Sequence, residues 1–300
     1  MNLLVTGASG LIGMEIVRQA RGEGWSVYGC GRTRPAGNPA DRWREYDLRW
    51  NDIPPALLDG IDVVVHGALA RNASPLDAGV NHAAARRLLD ACGRHGARFA
   101  FLSSLAAHEG AKSDYGKHKY ATERMVVERG ALAIRPGLVL GAGGVFGEMC
   151  RYLRSHRLLP LFGGGRQPLQ TIYVGDLARG VVEALASRLS GAFTAAENEP
   201  VDYRVFYAEL CRQLEIRPRF VPLPFWAAEA ATEMARRLGL RLPIDRDNLL
   251  GLQAMRADRG PRLPCLQARA YAANLALALA DVERLAREAG GDAMSVRHQR

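Results

Sequence analysis

The sequence predicts an α/β fold: a doubly wound parallel sheet carrying a smaller, mostly helical C-terminal lobe. Three observations carry this expectation. Over residues 1–200, short apolar runs alternate with longer amphipathic stretches. One run, Asp62-Val63-Val64-Val65-His66, is almost unbroken, as expected of a strand covered on both faces. Beyond residue 200 the character changes, and Pro218, Pro222, Pro224, Pro243, Pro261 and Pro264 divide the chain into short helical pieces. Strands alternating with helices through short links require parallel strands joined by right-handed crossovers. The expected division is a sheet domain over residues 1–196, with 143–170 contributing to the lobe, and a lobe over 197–300.

The elements follow in order. Leu3-Leu4-Val5 reads as a strand, and Leu11 to Arg21 as a helix with Ile12, Ile16 and Ala20 on one face. Gly22 and Gly24 end that helix. Val27-Tyr28 reads as the second strand and Trp43 to Tyr46 as the third. After the Asp62–His66 strand, Val80, Ala84, Leu88 and Ala91 recur at helical spacing. Arg98 to Ser103 is a strand, Tyr115 to Arg129 a helix, and Ala131 to Ile134 a strand. Asp176 is placed to cap a helix running to Ser187, and Ala192-Phe193-Thr194 returns to strand. In the lobe, Tyr203, Phe206, Tyr207, Leu210 and Leu214 mark one amphipathic helix, and Phe225 to Leu238 another.

Composition narrows the function classes. The chain is 48% hydrophobic and 24% charged, ordinary for a packed globular protein. Its forty basic residues comprise thirty-seven arginines and three lysines, Lys112, Lys117 and Lys119. The net charge of +9 is spread along the chain without a basic block, which gives no footprint for nucleic acid. The five cysteines are scattered and lack a Cys-x-x-Cys pair, which argues for a reducing compartment. The seven histidines show no ligand spacing, so no metal is expected. The first residues run straight into a strand, and no apolar stretch reaches the roughly 20 residues of a membrane span. The expected setting is cytoplasmic, with no membrane partner.

Thr6-Gly7-Ala8-Ser9-Gly10-Leu11-Ile12-Gly13 lies between the first strand and the first helix. Gly7 permits a tight turn, Gly10 lets the backbone approach a pyrophosphate at the helix start, and Gly13 lets helix and strand pack closely. This turn makes the expected sheet Rossmann-type. The second strand then ends Tyr28-Gly29-Cys30-Gly31-Arg32-Thr33-Arg34, with no acid to accept a ribose 2′-hydroxyl. An acid there would repel a 2′-phosphate, whereas Arg32 can clamp one bidentately. The reading is NADP(H), in preference to NAD(H).

Ser104 and Tyr115-Gly116-Lys117-His118-Lys119 complete a pattern. With the glycine turn, it resembles the short-chain dehydrogenase/reductase superfamily, and more specifically its extended branch, the NAD-dependent epimerase/dehydratase family. The resemblance spans residues 2–196 by motif order. It includes Val65-His66-Gly67-Ala68, Asp47-Leu48, Arg135-Pro136-Gly137 and Tyr173-Val174-Gly175-Asp176-Leu177-Ala178. It implies cofactor contacts from Gly7, Ser9, Gly10, Leu11, Ile12 and Gly13, and from Asp47 and Leu48 near the adenine. It implies further contacts from Gly67, Ala68 and Leu69 after the fourth strand, from Ser103 and Pro136, and from Tyr115 and Lys119. Arg71 is positioned to reach a phosphate. Dimers through the Tyr115 helix and the Val80–Arg94 helix are common in such relatives, so a homodimer is a further expectation.

The chemistry of these residue types points the same way. Reducing a carbonyl adds a hydride at carbon and a proton at oxygen, so a donor is needed within hydrogen-bond reach of that oxygen. Tyr115 and Lys119 stand four apart on a helix and share a face. An ammonium near a phenol stabilises the phenolate and lowers its pKa. Ser104, at the end of the neighbouring strand, can polarise the substrate oxygen.

Two departures from the family pattern bear on substrate. Ser104 and Tyr115 are only eleven positions apart, with Ala107-His108-Glu109 where Val-Tyr-Gly is common. Nucleotide-sugar enzymes of this kind keep an Arg seven residues before the Val-x-Asp aspartate; here that position is Leu169, and Arg166 lies nearby. His108 and Arg166 are the candidate substrate contacts. The leading expectation is an NADPH-dependent reductase of a keto group, on a keto-sugar or a natural-product carbonyl. The alternatives are a nucleotide-sugar epimerase with retained NAD(P), and a non-catalytic NADP(H)-binding sensor or assembly protein.

Overall fold

The computed structural model of the chain describes residues 1–70, 76–238 and 244–297. The sheet domain opens with β1 (Asn2–Thr6), α1 (Leu11–Gly22), β2 (Ser26–Gly31), β3 (Arg42–Glu45) and β4 (Val63–His66). It continues with α2 (Leu76–His95), β5 (Arg98–Leu102), α3 (Asp114–Glu128) and β6 (Leu132–Pro136). Then come β7 (Leu138–Leu140), α4 (Gly144–Ser155), β8 (Leu158–Phe162), β9 (Pro168–Leu169), β10 (Thr171–Tyr173), α5 (Val174–Ala186) and β11 (Gly191–Ala195). The remainder holds β12 (Val201–Asp202), α6 (Tyr203–Gln213), β13 (Arg219–Leu223), α7 (Phe225–Arg237), α8 (Arg246–Gln253) and α9 (Tyr271–Arg297).

Seven strands form one parallel sheet in the order β11-β6-β5-β4-β1-β2-β3. The chain runs outward from β1 to β3, then returns to lay β4 against the other side of β1. The strand order therefore reverses between β1 and β4, where ligands of such sheets bind at the carboxyl ends of the strands. Successive strand residues point to opposite faces, and both faces are covered. Leu3, Val5, Val63 and Val65 pack with Ile16 and Val17 of α1 and Val181 and Leu185 of α5. Leu4 and Val64 pack on the other side with Leu88 and Cys92 of α2 and Val126 of α3. Each such fully buried aliphatic side chain contributes about 1.5–3 kcal/mol relative to exposure.

A third cluster builds the lobe. Phe146 and Leu153 of α4 meet Phe206 and Leu210 of α6 and Leu275 and Leu279 of α9. Residues 143–170 thus supply α4, β8 and β9 to it, and the short pairs β12–β9 and β13–β8 edge it.

Three features differ from the sequence expectation. Past the last proline the lobe has a long helix, α9, of 27 residues; Leu275, Ala278, Leu279 and Val282 give it a buried stripe at helical spacing. The chain beyond residue 200 also returns to the sheet, where Arg262 bridges Thr194 and Leu263 enters the first core. Asp176 does not cap α5: Tyr173 occupies the cap position, and Asp176 lies inside the first turn, buried and ion-paired with Arg179 at 3.1 Å and Arg269 at 3.5 Å. A carboxylate in a first turn is favoured by the helix dipole without being the cap. The five cysteines are free thiols. Among the described residues, no helix is long and apolar enough to cross a membrane.

Candidate active site

The glycine turn has the geometry its spacing requires. Gly7 has φ +77°, and a Cβ there would lie 2.8 Å from the Ala68 amide nitrogen. A Cβ on Gly13 would stand 2.2 Å from the Gly7 carbonyl oxygen, so only hydrogen fits where α1 crosses the turn. Gly10 is different: its Cβ would meet only the Gly7 oxygen, at 3.4 Å, and the space beyond is open. Gly10 is also the N-cap of α1 and makes no side-chain cap hydrogen bond. The first amides of a helix have no intrahelical partner and favour an anion. An uncapped helix start under an open glycine therefore fits a dinucleotide pyrophosphate. Ser9 is exposed beside it, while Leu11 reaches across to Gly141 and Gly144, and Ile12 packs on the core.

Around the turn, Thr6 Oγ1 accepts the Ala68 N–H at 3.3 Å and lies 2.8 Å from His66 Nδ1. His66 is buried, stacks on Phe101, and is pushed down to about 3 by burial and by Lys119, so it is neutral. Asn38, which the sequence did not single out, donates to the Ala8 carbonyl at 2.8 Å and pins the loop after β2 to the turn. In that loop Arg34 is committed to the backbone, donating to the Asn38 and Ala40 carbonyls. Arg32 is exposed at the end of β2.

Ser104, Tyr115 and Lys119 converge beside the ends of β5 and β6. Ser113 caps α3 by accepting the Gly116 N–H at 3.1 Å, which starts the helix one residue before Tyr115. The Tyr115 hydroxyl lies beside Ser104, whose Oγ accepts the Ala106 N–H at 3.1 Å. Tyr115 is 41% exposed by area, yet its hydroxyl end lies deep enough that burial pushes its pKa up, opposed by the Ser104 hydroxyl. The lowering expected from Lys119 is absent from the protein alone. The ammonium is drawn elsewhere: it donates to the Leu102 carbonyl at 2.6 Å and sits 4.5 Å above the Phe101 ring, against 6.0 Å to the Tyr115 centroid. Burial pulls the Lys119 pKa down to about 8, with the Glu123 carboxylate opposing the shift.

Glu123 is the second residue that the sequence reading missed. It lies one turn after Lys119 on α3 and is buried. It accepts from Ser103 Oγ at 2.6 Å and from Arg135 Nε at 3.0 and 2.9 Å. Arg135 also approaches Asp258 at 3.8 Å, and Asp258 accepts from Thr194. An acid at i+4 from a central lysine was the available local signal.

The other expected residues are placed unevenly. Gly67 and Ala68 border the turn, and Leu69 is 41% exposed beyond them. Pro136 ends β6, with its carbonyl accepting the Leu105 N–H. Asp47 stands in a turn, its carboxylate accepting the Arg49 N–H at 2.9 Å. The Leu48 side chain is buried in the second core, which leaves only its backbone for a cofactor. The Ser103 hydroxyl is turned to Glu123, because neighbouring residues at a strand end point opposite ways. His108 does not open to a pocket: it is buried, with Nε2 3.1 Å from the Ala254 carbonyl, because the chain there turns under α8. Arg166 is exposed after three consecutive glycines of positive φ, and Leu169 is buried in β9. Arg71 lies outside the described residues. Among the described residues, no group of His, Cys, Asp or Glu is arranged to hold a metal ion.

Residues 3–194, which span the glycine turn, both serines and the Tyr115–Lys119 helix, match the NAD dependent epimerase/dehydratase family. The chain belongs to this family. Membership places it in the extended short-chain dehydrogenase/reductases, a class of NAD(P)-dependent oxidoreductases and epimerases. It is 34% identical over 148 residues to the "Ceramide reductase" of Caulobacter vibrioides, covering 46% of each chain. It is 29% identical over 206 residues to "NADH dehydrogenase [ubiquinone] 1 alpha subcomplex subunit 9, mitochondrial" of Arabidopsis thaliana, covering 62% of this chain and 49% of that protein. The chain spans about half the length of these curated relatives. Among solved structures, it resembles that of gox2253 with a TM-score of 0.73 at 20% identity, covering 95% of this chain and 98% of that one. It resembles the UDP-glucose 4-epimerase of Thermus thermophilus in complex with NAD with a TM-score of 0.63 at 21% identity, covering 85% and 98%. These structural likenesses establish the fold.

Proposed function

We propose that this protein is an NADPH-dependent reductase of a keto group, with Tyr115 as proton donor. The observation that carries the reading is the convergence of Ser104, Tyr115 and Lys119 beside an uncapped, glycine-lined helix start. The turn from Gly7 to Gly13 would hold the pyrophosphate, and Lys119 the nicotinamide ribose. Arg32, with no acid in the Tyr28–Arg34 stretch that ends β2, would hold a 2′-phosphate, with Glu45 opposite Gly31 as the acid nearest in register. When bound, the cofactor supplies a hydride. Ser104 orients the carbonyl, and the Tyr115 hydroxyl gives its proton to the developing alkoxide. The raised Tyr115 pKa keeps the phenol protonated at neutral pH, the state a donor requires.

The substrate class is a carbonyl carried by something other than a nucleotide sugar. Leu169 buries an apolar side chain where such enzymes keep an arginine, and the likeness to a ceramide reductase supports a keto-lipid as one member of the class. A second reading, a non-catalytic NADP(H)-binding assembly protein, is favoured by the likeness to the NADH dehydrogenase subunit over 206 residues. The intact Ser104–Tyr115–Lys119 set weighs against it. NADPH consumption, followed by absorbance against a panel of ketones, keto-lipids and keto-sugars, separates the two. Turnover that falls by about 10²–10⁴ in Tyr115→Phe supports the reductase. Tight NADPH binding with no turnover on any member supports the assembly protein.

A further inference from the structure

We propose that Asp247, on α8 of the lobe, is a positioning residue for Tyr115: its carboxylate caps the first turn of α3 and fixes where the phenol stands. The proposal rests on the reading of Tyr115 as proton donor. A helix start leaves its first amides without partners. At α3, Ser113 takes the Gly116 N–H, and Asp247 takes two others. Asp114 N–H donates to Asp247 Oδ1 at 2.6 Å, and Tyr115 N–H donates to Oδ2 at 3.3 Å. One carboxylate thus holds the backbone of Tyr115 itself. Bonds from amides to an ionised acceptor are about twice as strong as neutral ones. The charge also stands at the positive ends of two helices, because Asp247 lies in the first turn of α8, itself capped by Asp245.

The rest of α8 continues the contact. A Cβ on Gly251, one turn after Asp247, would lie 3.6 Å from Ser113 Oγ. Gln253 accepts from Lys112 Nζ at 3.0 Å, and the Ala254 carbonyl meets His108. One helix of the lobe therefore grips the segment between Ser104 and Tyr115 at several points, and that segment is only ten residues long. The other side of α8 is anchored in the lobe by Leu249, buried with Ala228 and Phe162. A shift of the lobe reaches the phenol through Asp247 with little slack to absorb it. Misplacing a reacting group by about 1 Å can cost on the order of 10²-fold in rate.

The test compares wild type with Asp247→Ala and Asp247→Asn, the latter keeping one acceptor oxygen. The expected result for Asp247→Ala is a kcat at least tenfold lower with the KM for NADPH unchanged, since the glycine turn is held by other residues. Amide hydrogen exchange over residues 114–118 should quicken in Asp247→Ala, and Asp247→Asn should fall between the two in both measurements. A wild-type kcat in Asp247→Ala overturns the proposal, as does a change in NADPH KM alone. If wild type reduces no substrate, the donor reading fails, and exchange still decides the capping: unchanged protection of 114–118 in both variants overturns it. Should Asp247→Ala not fold, the Asn variant carries the same comparison.

Discussion

Replacing Lys119 by Met tests the electrostatic description of the site. The ammonium is held at a pKa of about 8, against 10.5 for a free lysine. Below pH 8 the group is protonated in both folded and unfolded states, and the folded state carries the full penalty of burying the charge. As pH rises from 8 to 10.5, the folded state releases its proton first, so the penalty is relieved and stability rises by this contribution. The gap of 10.5 to about 8 corresponds to about 3 kcal/mol of destabilisation at pH 7, most of which is relieved by pH 10. Other buried groups titrate in the same range with the opposite sign, among them Tyr207 and Cys92, whose pKa values burial raises. The difference between wild type and Lys119→Met removes them. Chemical denaturation of both proteins at pH 7 and pH 10 should therefore show wild type gaining about 2–3 kcal/mol on the variant. A difference that stays constant, or moves the other way, would refute the claim that this ammonium is desolvated.

Three further outcomes follow from the geometry. Arg32→Ala should weaken NADPH binding by roughly 10–100-fold, the size of one charge-assisted contact, and leave NADH binding unchanged; fluorescence titration of both cofactors measures it. Glu123→Gln leaves Arg135 without its buried partner and should cost about 3–5 kcal/mol in denaturation. Because Glu123 holds the Lys119 pKa up, the same variant should move the Lys119 titration to lower pH, seen as a shift of the alkaline limb of the pH–rate profile. Gly10→Ala, whose added methyl meets only the Gly7 oxygen, should melt close to wild type and yet bind cofactor about tenfold or more weakly, whereas Gly13→Ala should lose both fold stability and binding.

Much of this was legible in the sequence, for identifiable reasons. Val63-Val64-Val65 could only be a strand buried on both sides, and the sheet places it beside β1. Tyr115 and Lys119 shared a helix face by spacing alone. The failures lie where partners are distant in sequence or where one residue separates two directions. Ser103 and Ser104 differ by a single step along the chain, and the acid that claims Ser103 is twenty residues away. His108 follows the Ser104 strand, which suggested a site residue, but a helix 146 positions later covers it. Asp247 carries no local signal at all: its role exists only because the lobe brings α8 onto the start of α3. The long helix α9 was legible in principle from its Leu275–Val282 stripe, and the prolines before it drew the reading toward short helices.

The proposed function requires that Tyr115 and a bound NADPH together reduce a carbonyl, with one NADPH consumed in each turnover. NADPH carrying deuterium at both C4 positions of the nicotinamide tests it, with the product analysed by mass spectrometry. The account predicts one deuterium at the new carbinol carbon, one NADP⁺ per alcohol formed, and loss of both in Tyr115→Phe. Product without deuterium, or substrate converted with the cofactor returned in its starting state, would contradict it and mark the enzyme as an epimerase.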